Sequence, residues 1–129
     1  MDYELAIIGA GPAGYSAAIY AVRSGIKTVL FDKGMGGGLA SIAPNIENYA
    51  GFDAIPGFEL MEKMKKHVEN YTKINFNEEV EDISKTNNNF LIKTTEKEYA
   101  VKAVLFTTGT EHRKLNAPGE KELSGKGVS

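Results

Sequence analysis

The chain has no cysteine and no tryptophan among its 129 residues, and only two histidines. Without cysteine, these residues hold no disulfide framework, no thiolate metal site and no sulfur nucleophile. His67 and His112 lie far apart in sequence, so a histidine-based metal site is not expected. His67 falls on a lysine-rich helical pattern and His112 beside Arg113 and Lys114; both read as surface residues. Apolar runs are no longer than a strand, and Arg23 and Lys27 interrupt the small-residue region near the start. No segment is expected to cross a bilayer. The net charge of −2 lacks the basic excess on which nucleic-acid binding draws. Lys63, Lys65 and Lys66 sit in a helical pattern and read as a solvated face. Met1-Asp2-Tyr3-Glu4 is acidic and passes at once into a strand, unlike a secretory leader. The expected compartment is the cytoplasm. The remaining composition, 42% hydrophobic and 25% charged, is that of an ordinary globular chain. Its length allows about one domain around a single core.

Glycine is what the chain has in quantity, and its placement is specific. Glu4–Gly9 reads as an apolar strand running into Gly9-Ala10-Gly11-Pro12-Ala13-Gly14, and a second apolar strand closes on Val29-Leu30-Phe31-Asp32. Strand, Gly-x-Gly-x-x-Gly, helix and a distal acid, in that order, form a dinucleotide-binding fingerprint. Gly9 turns the chain off the strand. Gly11 lets backbone approach a pyrophosphate. Gly14 lets the helix pack close to the sheet. The helix N-terminus offers free N–H groups and partial positive charge to the phosphates. Pro12 fits its first turn, where a missing N–H costs nothing. Asp32 is spaced to accept ribose hydroxyls, and its charge disfavours the 2′-phosphate of NADP. On these residues alone FAD and NAD both stay open.

The periodicity predicts a first helix over about Pro12–Ser24, stopped by Gly25, and a second strand over Thr28–Asp32. Gly34-Met35-Gly36-Gly37-Gly38-Leu39 opens a long irregular stretch, and long ordered loops are commonly functional. A helix follows over about Gly57–Tyr71, with Leu60, Met61, Met64, Val68 and Tyr71 as its core face. Short strands are expected at Asn75–Phe76, Glu79–Ser84, Phe90–Thr95 and from Tyr99. Asn87-Asn88-Asn89 reads as a hairpin turn, because Asn tolerates positive φ. Glu78, Glu79, Glu81 and Asp82 alternate and read as solvent-facing. Lys102–Gly109 reads as a buried strand ending at a glycine, and the last twenty residues as a polar loop or tail. This order predicts an α/β fold: a mainly parallel sheet with helices on both faces and a small antiparallel β-meander.

Five segments together carry a resemblance. They are Ile8–Gly14; Gly36-Gly37-Gly38-Leu39; Ile46-Glu47-Asn48-Tyr49-Ala50-Gly51-Phe52; Gly57-Phe58-Glu59-Leu60 with its helix; and Thr107-Thr108-Gly109-Thr110 through Arg113-Lys114-Leu115, Pro118-Gly119-Glu120 and Gly125–Ser129. In this order they resemble the flavin-binding half of the thioredoxin reductases, within the pyridine nucleotide–disulfide oxidoreductases, over essentially the whole chain. The resemblance implies a Rossmann-like domain binding FAD rather than NAD. It implies that 1–129 is the N-terminal portion of a discontinuous FAD-binding domain, with 110–129 leading toward a nicotinamide-binding domain that bears Cys-x-x-Cys. The chain is thus expected to be a fragment of the family fold, inactive alone.

The implied cofactor-binding residues are Gly9, Gly11, Pro12, Ala13, Gly14, Phe31, Asp32, Lys33, Gly37, Gly38, Leu39, Asn48, Val80, Thr107, Thr108 and Gly109. By the same carry-over, Gly36–Leu39 runs along the flavin and ribityl chain. Asn48 bonds the isoalloxazine ring, backbone near Val80 meets the adenine edge, and Thr107–Gly109 pass beneath the phosphate–ribose region. No catalytic residue or metal ligand is implied. Three residues depart from the family pattern: Gly38 stands where Gln is common, Ala50 where Pro is usual, and Asp32 where Glu is more frequent. A complete protein of this kind takes electrons from a nicotinamide donor, reduces a thioredoxin-like partner and is commonly a homodimer. Two other readings are weighed beside it: a ferredoxin–NADP reductase-like flavoprotein without redox cysteines, and a non-catalytic dinucleotide-binding module.

Overall fold

The computed structural model describes residues 1–128; Ser129, the last residue of the Gly125–Ser129 segment, lies outside them. The strands are β1 (Tyr3–Ile8), β2 (Thr28–Phe31), β3 (Ile74–Asn75), β4 (Val80–Lys85), β5 (Phe90–Thr94) and β6 (Glu98–Phe106). The helices are α1 (Pro12–Arg23), α2 (Gly57–Glu69) and a single turn, α3 (Glu120–Leu123); a 3-10 turn spans Gly38–Ile42. One sheet runs in the order β3-β2-β1-β6-β5-β4. The first four strands of that order are mutually parallel, and β5 and β4 continue antiparallel.

Alternation along the central strands builds two cores. Ala6 and Ile7 are adjacent and both fully buried, yet they point to opposite faces. Ile7, Leu30 and Ile74 pack with Tyr15 and Ala18 of α1 and with Leu60, Met61 and Val68 of α2. Ala6, Val29 and Phe31 pack instead with Ile92, Tyr99 and Val101. Burying Ile7 or Leu30 in this way stabilises the fold by about 1.5–3 kcal/mol each. α1 stops at a left-handed glycine: Gly25 (φ 81°) donates to Val22 at 2.9 Å, and Ile26 reaches back to Ala21 at 3.0 Å.

The Phe31 and Tyr99 rings meet edge-on at 4.9 Å, although β1 stands between their strands. Contact across that gap requires the meander to fold back over the face opposite the helices. β6 makes this possible. Its first residues, Glu98–Val101, ladder with β5, and Val101–Phe106 ladder with β1. Among the described residues, helices therefore cover one face and the meander covers the other. The expectation of helices on both faces is met on one. The inward residues Ile83, Ile92, Tyr99 and Val101 supply the apolar layer that a helix would otherwise provide.

Other differences have local causes. The strand expected at Lys102–Gly109 starts earlier and ends at Phe106. Leu105 and Phe106 are exposed, because beyond Val101 β6 pairs only with β1 among the described residues. Tyr71 lies past the end of α2 and is exposed. Thr86 N–H closes the Asn87–Asn89 hairpin on Asn89 at 2.8 Å, but the asparagines with positive φ are Asn77 and Asn116. Glu78, read as solvent-facing, is 7% exposed. The polar tail holds α3, whose first residue, Glu120, accepts N–H bonds on its carboxylate from Leu115 and Asn116, each at 2.8 Å. Among the described residues no helix is long and apolar enough to cross a membrane.

Candidate cofactor-binding groove

β1 has parallel neighbours on both sides, reached by connections running opposite ways around the sheet. Such a reversal opens a crevice at the carboxyl ends of the strands, where ligands of doubly wound sheets bind. Three sequence signals converge there: Gly9 after β1, Asp32 after β2, and Thr107-Thr108-Gly109 after β6. They share a groove of about 600 Å³ with Gly11, Pro12, Ala13, Lys33, Gly38 and Leu39. Val80 lines a smaller cavity of about 240 Å³, together with Phe31, whose side chain is fully buried. Gly9, Asp32, Lys33 and Thr108 border both spaces. Gly14 and Gly37 are buried beneath the groove rather than lining it. Asn48 is exposed, on the turn closed by the Ile46–Ile55 bridge, and is not brought to the groove wall.

The glycine turn is fixed by its neighbours. A Cβ on Gly9 (φ 108°) would collide with the Thr107 carbonyl, and one on Gly14 with the Gly9 carbonyl. The Thr107 hydroxyl donates to Gly9 O at 2.8 Å, with Ile8 O also near at 3.1 Å. Gly11 is different. Among the described residues, the nearest atom to a Cβ there is Gly38 Cα at 3.9 Å, so none of them forbids a side chain. The open space at Gly11 lies at the N-cap of α1, which carries no side-chain cap. Uncapped first-turn N–H groups facing an open cradle suit a diphosphate. On this geometry the residues fit a dinucleotide cofactor.

Asp32 borders the crevice, but its carboxylate is already at work. Oδ1 accepts from Ala10 N–H at 2.8 Å; Oδ2 accepts from Gly34 N–H at 3.0 Å and Gly36 N–H at 3.1 Å. A carboxylate has about four lone-pair sites, so room for one further donor remains. The spacing of the fingerprint points Asp32 to the ribose alone and does not reveal this clasp. The available signal was an Asp with glycines two and four residues on, since Asx side chains commonly bond nearby backbone N–H groups. Behind the loop, Tyr15 is buried, and desolvation pushes its phenol up to about 12. At the rim Lys33 pairs with Glu111 at 3.1 Å, and this hydrogen bond raises the lysine's pKa. Both side chains are exposed, so the pair adds little stability.

A family profile described as pyridine nucleotide-disulphide oxidoreductase matches residues 3–129. The chain belongs to this family. Members of the pyridine nucleotide-disulphide oxidoreductase family, the thioredoxin reductases among them, are FAD-binding flavoproteins, as the resemblance implied. The curated thioredoxin reductase of Ureaplasma parvum serovar 3 is 43% identical over 127 residues, and that of Bacillus subtilis strain 168 is 38% identical over 127 residues. Each alignment covers 98% of this chain, with 41% and 40% of the respective relative. A crystal structure of T. acidophilum thioredoxin reductase superposes with a TM-score of 0.88 at 47% identity, covering 98% of this chain and 41% of that one. The Lactococcus lactis thioredoxin reductase, in its FR conformation, gives 0.87 at 38% identity, covering 95% and 41%. The chain thus spans about two fifths of the length of the curated relatives it matches.

Proposed function

We propose that this chain is the FAD-binding part of a flavin-dependent thioredoxin-disulfide reductase that works in the cytoplasm. The observation that carries the reading is the open cradle at Gly11 between Asp32 and Thr107–Gly109, in a chain whose relatives are thioredoxin reductases. When bound, FAD supplies two-electron chemistry between a reduced nicotinamide and a disulfide. The residues described here bind and orient. Gly9, Gly11, Pro12, Ala13 and Gly14 shape the diphosphate cradle. Asp32, between Phe31 and Lys33, offers its remaining lone pair to the ribose. Gly38 and Leu39, with Gly37 buried behind them, border the run toward the flavin, where Asn48 is assigned a ring contact. Val80 faces the adenine, and Thr107, Thr108 and Gly109 close the floor. Residues 110–129 are read as the connection toward a nicotinamide-binding domain, with NADPH and a thioredoxin-like protein as partners and a homodimer as the assembly.

With no cysteine in these residues, the dithiol that exchanges with the substrate must come from elsewhere in the protein. The test is to purify the protein as expressed from its own gene, record its visible spectrum and assay NADPH-dependent thioredoxin reduction. A flavin spectrum at one FAD per chain with turnover supports the reading. A colourless protein that takes up no added FAD refutes it.

A further inference from the structure

The smaller cavity has a wall that the fingerprint does not explain. Glu78, between β3 and β4, is a buried acid outside the groove's glycine machinery. Its Oε1 accepts from the Thr94 hydroxyl at 2.7 Å and the Tyr99 hydroxyl at 2.9 Å; its Oε2 accepts from Asn75 Nδ2 at 2.9 Å. Its backbone N–H donates to the Asp32 carbonyl at 3.0 Å. One residue thus ties β3, β5 and β6 to the carboxyl end of β2. A buried carboxylate persists only when its lone pairs are satisfied, and here three donors converge on it. Tyr99 is held as a donor, because burial keeps its phenol well above the usual tyrosine range.

The following residues turn this anchor into a surface. Glu79 and Thr95 exchange two bonds, Glu79 N–H to Thr95 Oγ1 at 3.2 Å and Thr95 N–H to Glu79 O at 2.9 Å. The β4–β5 register then slips between Val80 and Asp82, an irregularity that re-aims a side chain. Val80 borders the smaller cavity together with Ile8, Gly9 and Phe31. We propose that Glu78 is a positioning residue for the adenine end of the cofactor: its carboxylate, gripped by Thr94, Tyr99 and Asn75, fixes the Glu79–Val80 backbone as the cavity wall. The inference rests on reading the groove as an FAD site.

The experiment compares Glu78→Ala, Glu78→Gln and the unaltered protein, each as expressed from its own gene and freed of cofactor. ADP binding by calorimetry probes the adenosine end, and the visible spectrum at FAD saturation probes the flavin end. Glu78→Ala should weaken ADP by about tenfold, the size of effect expected when buried donors lose a charged acceptor, while the bound-flavin spectrum stays unchanged. Glu78→Gln keeps an acceptor for both hydroxyls and should stay within about threefold of the unaltered protein. Unchanged ADP affinity in Glu78→Ala overturns the proposal. So does an altered flavin spectrum, which marks general loosening, or a Gln variant as weak as Ala. If Glu78→Ala does not fold, Tyr99→Phe carries the test by removing one hydroxyl. Weaker ADP with an unchanged spectrum supports the proposal, and any other pairing overturns it. An unaltered protein that binds neither FAD nor ADP refutes the groove assignment itself, a different failure.

Discussion

Asp32→Asn tests the loop clasp at the centre of the groove. The amide would keep one acceptor oxygen, best turned toward Gly34 and Gly36, and would set its NH2 against Ala10 N–H. The Ala10 bond, 2.8 Å in the parent, is lost outright. The two bonds to the loop, at 3.0 and 3.1 Å, fall from charged to neutral strength. Hydrogen bonds to charged groups contribute about 1.5–3 kcal/mol and neutral ones about 0.5–1.5 kcal/mol. One full loss and two weakenings give about 3.5–6 kcal/mol, reduced to about 2–4 kcal/mol because the half-buried site admits water to the freed N–H groups. For a domain of this size that lowers Tm by about 10 °C. The assay is thermal unfolding of the cofactor-free protein, followed by circular dichroism. If Asp32 served the ribose alone, the variant would unfold with the parent and differ only in FAD affinity. A cofactor-free Tm within about 1 °C of the parent refutes the clasp.

Gly11→Ala and Gly14→Ala should separate binding from folding. Among the described residues the first meets no atom nearer than 3.9 Å, and it should keep the parent Tm while losing FAD affinity at least about tenfold; the second strikes the Gly9 carbonyl and should cost about 3 kcal/mol or more of stability. Melting curves and flavin titrations on both variants check this. Tyr15, raised to about 12 from an ordinary 10, favours the fold fully below pH ~10 and loses that contribution as pH climbs through about 12, since the unfolded phenol ionises first. Alkaline unfolding of Tyr15→Phe should therefore be flatter than that of the parent over this window. A polypeptide of residues 1–129 alone should show no NADPH-dependent reduction of thioredoxin, because it contains no cysteine.

The parts of the groove legible in sequence were those where residue type and spacing are dictated locally. The turn at Gly9, the open approach at Gly11 and the tight packing at Gly14 each follow from the absence of a side chain. Convergence on Thr107–Gly109 came from the resemblance, because a strand pairing across most of the chain leaves no local trace. The role of Glu78 was hidden for the same reason. Its partners Thr94 and Tyr99 are distant in sequence, and an acid among acids looks solvated until the meander folds over it. Helices on both faces were expected because a parallel sheet needs cover. The sequence pattern does not say that a hairpin layer can provide it.

Strand β6 serves two ladders at once, and among the described residues it is the last strand in chain order. Until a ribosome has released that segment, β1 lacks one of its two neighbours and Phe31 lacks the ring it packs against. The glycine turn likewise waits for Thr107, the residue whose hydroxyl holds it. A nascent chain can assemble its first β-α-β unit early, but it completes the cofactor cradle only once nearly everything described here has emerged.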